Sequence, residues 1–186
     1  MKKLSLVLVA CGTAAGALAQ IPVGVDLGIF MPTDSDVKEV YGKCWFRIGV
    51  TPVSFQQPGN WRFTFDLGFL KRSRTVFVPD GKGGVFLNND VTLIPLTFGV
   101  TRSFSQNPDF LPYVALRAGP YYANVNSDSF GVDKSGFGLN ANAALGVSFS
   151  RRFYIEARYD WYSKFEDIDF SGFSLSAGIK LFEIRL

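Results

Sequence analysis

The segment Trp61-Arg-Phe-Thr-Phe-Asp-Leu-Gly-Phe-Leu70 constrains the fold more tightly than any other stretch of the chain. Its odd positions carry Trp61, Phe63, Phe65, Leu67 and Phe69, and the even positions between them carry Arg62, Thr64, Asp66 and Gly68. Strict alternation of this kind is the mark of a β-strand with one apolar and one polar face. Length adds a second constraint, because roughly 9–11 residues of tilted strand cross the hydrocarbon layer of a bilayer. Similar stripes recur along the chain, so the pattern predicts a transmembrane β-barrel.

The start of the chain reads as an export signal. Lys2 and Lys3 form a positive n-region, Leu4 to Ala10 are almost wholly apolar, and Ala17-Leu18-Ala19 is an A-x-A cleavage site. Residues 1–19 are therefore expected to be removed, leaving 20–186 as one barrel domain that begins at Gln20. A competing reading takes Leu8-Val9-Ala10-Cys11 as a lipobox with Cys11 lipidated. Without Lys2 and Lys3 the chain has one basic residue more than acidic ones, which gives no electrostatic reason to expect a nucleic-acid partner. Only Cys44 would remain, so no intramolecular disulfide is available to the mature fold. No segment is long and apolar enough to read as a spanning helix.

Eight alternating segments can be laid along 20–186. The first, about Ile21 to Met31, sets Val23, Val25, Leu27 and Ile29 against Gly24, Asp26, Gly28 and Phe30. The second, about Lys43 to Thr51, sets Cys44, Phe46, Ile48 and Val50 against Trp45, Arg47 and Gly49. The third is the Trp61 segment. The fourth, Thr92 to Ser103, opposes Ile94, Leu96, Phe98 and Val100 to Pro95, Thr97, Gly99 and Thr101. The fifth, Pro112 to Tyr122, opposes Val114, Leu116 and Ala118 to Tyr113, Arg117, Gly119 and Tyr121. In the sixth, Phe137 to Phe149, the inner set is Gly138, Asn140, Asn142, Ala144, Gly146 and Ser148. The seventh alternates Phe153, Ile155, Ala157, Tyr159 and Trp161 with Tyr154, Glu156, Arg158 and Asp160. The eighth, from about Gly172, alternates Phe173, Leu175, Ala177, Ile179 and Leu181 with Ser174, Ser176, Gly178 and Lys180.

The connections alternate in length. Ser150-Arg151-Arg152 is a tight turn, Phe104 to Leu111 is short, and Pro52 to Asn60 is somewhat longer. Pro32 to Gly42, Lys71 to Val91, Ala123 to Gly136 and Tyr162 to Ser171 are long. Short turns on one rim and long loops on the other are the habit of outer-membrane barrels, in which both termini face the periplasm. A soluble, lipocalin-like barrel also alternates, but its polar face would meet water. Here that face holds Gly24, Gly28, Gly49, Gly68, Gly99, Gly119, Gly138, Gly146 and Gly178, which suits a crowded lumen better than a solvated exterior. Trp61, Phe69, Phe104, Phe153, Tyr159 and Trp161 near strand ends suit interfacial girdles.

The stretches Gly138 to Tyr159 (GLNANAALGVSFSRRFYIEARY) and Leu111 to Pro120 (LPYVALRAGP) resemble the small outer-membrane β-barrel proteins of the OmpA, OmpX and OmpW-like group. The resemblance implies an eight-stranded, antiparallel, up-and-down all-β barrel in the outer membrane. It is one of pattern over nearly the whole mature chain. One departure lies at the C-terminus: such barrels usually end in an aromatic residue, whereas this chain ends in Leu186. Phe182 and Ile184 are also out of phase with Ile179 and Leu181, which predicts a bulge near Phe182.

Candidate chemistry lies on the lumenal face. Asp26, Arg47, Asp66, Arg117, Glu156, Arg158 and Lys180 all fall there, with Asp160 able to even the charge. Charges in a confined interior must pair, so these residues are expected to form a salt-bridge network that plugs the barrel, or a gate for small solutes. The chain has no histidine, which excludes the Ser-His-Asp chemistry and common zinc sites of other barrels. No enzyme activity, cofactor or metal is expected. The expected role is envelope structure or surface contact through the loops, with a narrow transport pore as in OmpW-like proteins as the alternative. Arg74 to Pro79 and Val85 to Leu87 flank Asp80-Gly-Lys-Gly-Gly84, a hairpin signature in the 71–91 loop that predicts an extension of strands three and four beyond the membrane and offers a sheet edge to a protein partner. Thr33 to Gly42 carries an N-cap, early acidic residues and a closing Gly, predicting a short helix. Lipid is the expected surrounding, Cys44 a lipid-facing side chain and a monomer the expected state.

Overall fold

The computed structural model describes residues 21–52, 61–79, 83–105, 107, 109–150 and 152–184. The signal segment 1–19 with Cys11, the turn signal Pro58-Gly59-Asn60 and Leu186 lie outside these. The strands are β1 (Ile21–Pro32), β2 (Trp45–Pro52), β3 (Trp61–Val78), β4 (Val85–Ser103), β5 (Phe110–Ser127), β6 (Val132–Phe149), β7 (Phe153–Tyr162) and β8 (Gly172–Ile184), with one helix, α1 (Ser35–Tyr41), between β1 and β2. Each strand pairs antiparallel with the next, and β1 pairs with β8, so the sheet closes in simple up-and-down order.

Closure removes the free edges of the sheet and fixes which face points where. Leu27, Ile48, Phe63, Leu67, Phe98, Leu116, Leu139, Leu145, Ile155 and Leu175 are exposed on the outer wall. Asp26, Arg47, Asp66, Arg117, Asn142, Glu156 and Arg158 are buried inside. No described helix is long and apolar enough to cross a membrane, and α1 is seven residues long. The bulge appears where the phase demanded it: Val23 pairs with Phe182 but Gly24 pairs with Lys180, leaving Leu181 as the extra residue.

One expectation needs correction. The length pattern makes 71–91 and 123–136 long loops, but the strands extend into both, as the hairpin signature anticipates for 71–91 and nothing anticipates for 123–136. The β3–β4 ladder continues to Val78↔Val85 and the β5–β6 ladder to Ser127↔Val132. Beyond the lipid-facing band the outward positions meet water, so polar Asn124 and Asn126 stand there and the outer apolar stripe fades, while Ala123 and Val125 stay buried inward and the hydrogen-bonded ladder persists. Within the continuous strands β4 and β5 the pairing with neighbouring strands is interrupted at prolines. The β3–β4 pairing stops at Leu67↔Leu96 and resumes at Leu70↔Leu93, across Pro95. The β4–β5 pairing stops at Phe98↔Ala118 and resumes at Pro95↔Tyr121, across Pro120. Proline has no N–H to give to a ladder, so hydrogen bonds of the wall are lost at this level.

Candidate functional site

The lumen is filled by two stacked layers, one ionic and one aromatic. The ionic layer is built from inward positions of five strands, β1, β2, β3, β5 and β7. Asp66 on β3 is its hub: Arg47 on β2 donates from Nη2 at 2.8 and 2.9 Å, Arg158 on β7 donates from Nη1 at 2.8 Å, and the Thr51 hydroxyl donates at 2.8 Å. Arg47 also pairs with Asp26 on β1. Arg158 reaches Asp160 at 3.0 Å and lies 3.8 Å from Glu156. Arg117 on β5 binds Glu156 with both terminal nitrogens, at 3.1 and 2.9 Å. All seven of these charged residues are buried.

Of the charged positions read from the alternation, the structure therefore joins Asp26, Arg47, Asp66, Arg117, Glu156 and Arg158 into one connected set, with Asp160 as a further member. Lys180 is half-buried toward the turn end of β8. There its backbone N–H donates to the Arg152 carbonyl at 2.7 Å.

Uncharged partners complete the layer, and their part in it was not visible in the sequence. Tyr113 donates to Glu156 at 3.0 Å, Tyr154 to Asp26 at 3.2 Å and Ser174 to Asp160 at 2.9 Å. The tyrosines fit because of glycines. Tyr113 stands opposite Gly146, Tyr121 opposite Gly138 and Tyr154 opposite Gly178 on neighbouring strands. A Cβ at any of these glycines would run into the facing ring. The inner-face Gly–Tyr pairing is a signal that a correct strand register would have revealed.

The aromatic layer lies toward the loop end and adds a second, apolar filling to the salt-bridge network. Phe30, Tyr41, Trp45, Leu70, Leu93, Tyr121, Tyr162 and Phe170 are buried together. Tyr121 and Tyr162 meet edge-to-face at 5.0 Å, and Phe30 lies 5.3 Å from Trp45. Helix α1 closes this end. Its N-cap Asp34 accepts from the backbone of Asp36 and Val37 at 2.9 and 3.0 Å, and Val37 and Tyr41 point down into the cluster. Arg72 and Arg74 on β3 clamp the helix by donating to the Tyr41 and Glu39 carbonyls, at 2.9 and 2.6 Å. Cys44 is exposed just before β2. No group of acidic, histidine or cysteine side chains able to hold a metal ion occurs among the described residues.

The model of the outer membrane protein beta-barrel domain matches residues 4–180. The chain belongs to this family. Its members sit in the lipid bilayer of the bacterial outer membrane, so the outer wall of this barrel faces lipid. No curated protein matches the sequence. Among solved structures, Neisserial surface protein A superposes with a TM-score of 0.55 at 12% identity, covering 90% of this chain and 97% of that one. The outer membrane enzyme PagL gives 0.55 at 13% identity, with 85% and 99% covered. OprG from Pseudomonas aeruginosa gives 0.50 at 12% identity, with 90% and 97% covered. At such identities these likenesses establish the shared barrel fold and nothing finer.

Proposed function

We propose that this outer-membrane barrel is a closed, non-catalytic wall element that serves envelope structure and presents its helix and hairpins for surface contact. The observation that carries the reading is the double filling of the lumen, an ionic layer under an aromatic one. The lumenal carboxylates are engaged by arginines, and the chain has no histidine to activate a nucleophile or a water. In this reading residues 1–19 are cleaved on export, the termini face the periplasm and the barrel is a monomer. The tip of the β3–β4 hairpin exposes Phe77, Val78, Val85 and Phe86, an apolar patch beyond the bilayer that suits contact with another protein.

Reconstitution of the mature chain in planar bilayers tests this. No unitary currents are expected from the wild type, from Arg117→Ala or from Lys180→Ala. Open channels whose current changes in either variant would overturn the closed reading in favour of a second one, a narrow pore for small or apolar solutes. The ladder interruptions at Pro95 and Pro120 favour that alternative, because they weaken the wall level with the base of the aromatic layer.

A further inference from the structure

The outer wall carries a hollow of about 530 Å³ over β5 and β6. Its floor is made of Ala118, Ala141 and Ala143, and its sides of Phe98 on β4 and Tyr159 and Trp161 on β7. The register explains the shape. Phe98, Ala118, Ala141 and Trp161 follow one another across four strands, so two large side chains bracket two small ones. On the next rung Leu116, Ala143 and Tyr159 repeat the arrangement.

A concavity in this place must be filled. It is continuous with the lipid-facing wall, where exposed Leu139 and Leu145 flank it along β6. Lining atoms with nothing against them forfeit their dispersion contacts. Arg117 and Asn142 lend the hollow only their wall positions, because their polar ends turn inward to Glu156 and Thr97. No charge therefore faces out to hold the phosphates of a highly phosphorylated glycolipid, while a single hydrocarbon chain needs none. A second barrel is a poor occupant. Stable protein interfaces use roughly 20–30 residues a side, and the hollow is lined by nine. We infer that it seats one acyl chain of a membrane phospholipid, making a defined lipid site on the outer wall. The inference rests on the lipid-facing position of the wall and is independent of whether the lumen conducts.

Native mass spectrometry of the full mature protein, reconstituted with dipalmitoylphosphatidylcholine and released from detergent, tests it. Monomers are expected to keep the mass of one phospholipid after all others have been stripped. Ala141→Phe fills the hollow and should lower that retention about tenfold, a change of roughly 1.4 kcal/mol. Ala143→Leu is the second filling variant, in case Ala141→Phe does not fold. Ala177→Phe, on the outer face of β8 and away from the hollow, should leave retention unchanged. Each variant is first shown to be folded by its shifted migration in unboiled SDS samples. The proposal is overturned if the last phospholipid leaves with the rest, or if the folded filling variants retain it as well as the wild type. A dimer that disappears when the hollow is filled would overturn it equally, in favour of a second copy as occupant.

Discussion

Asp66 illustrates how a single side chain can hold several strands of a barrel. It accepts from Arg47, Arg158 and Thr51, which stand on β2 and β7, and it has almost no exposure to water. Removing one partner of a buried ion pair leaves the others uncompensated, at about 3–5 kcal/mol. Asp66→Asn is therefore expected to lower the stability of the refolded barrel in detergent by that amount, read from urea unfolding; a loss under about 1 kcal/mol would show that the layer is not held by this hub. Gly146→Val tests a different force at the same scale. Its side chain would enter the ring of Tyr113, so overpacking of about 1–3 kcal/mol is expected. Tyr113→Ala in the same chain should relieve the clash, although the Glu156 contact is then lost. The charged members of the layer were legible because alternation alone puts them inside. Tyr113 and Tyr154 were legible only as inner-face residues, since their partners depend on register and on which strands meet across the lumen.

The elements divide according to how much of their structure is local. Helix α1 was readable from Thr33 to Gly42 because an N-cap, an early carboxylate and a terminal glycine are local signals. The structure uses Asp34 as cap and Gly42, at φ 91°, as the residue that ends it. Asp34→Ala should weaken the helix by about 0.5–2 kcal/mol. The expected result is faster proteolytic cleavage within 33–43 while the barrel core keeps its heat-modifiable shift; unchanged cleavage would mean that Arg72 and Arg74 alone hold the helix down. The hairpin signature around Asp80 to Gly84 made the extension of β3 and β4 readable, but the lengths of β5 and β6 were not legible, because hydropathy reports the bilayer and not the ladder. Nor was the aromatic layer. Phe30, Trp45, Leu70, Leu93, Tyr121 and Tyr162 occupy the face that is polar elsewhere in the same strands. Periodicity assigns such residues to the inside but does not say that they lie at one height and pack together.

For the whole molecule, the two layers lie in series along one axis, and this determines what any single change can do to permeation. A path blocked twice stays closed when either block is removed. Emptying the ionic layer is best done by deleting both partners of a pair, because deleting one strands a buried charge. Arg117→Ala with Glu156→Ala removes a bidentate pair that closes the β5–β7 side of the lumen. Trp45→Ala removes the ring that packs against Phe30, Tyr41 and Phe170 in the layer above. Single-channel recording should find the Arg117→Ala/Glu156→Ala barrel silent, the Trp45→Ala barrel silent and the triple variant conducting, provided each shows the folded shift in SDS. Currents in either partial variant would mean that the remaining layer is no barrier, and would identify the removed one as the gate of a pore. Silence in the folded triple variant would place the closure in the side chains that remain, chiefly Arg47, Asp66 and Arg158 at the centre of the network.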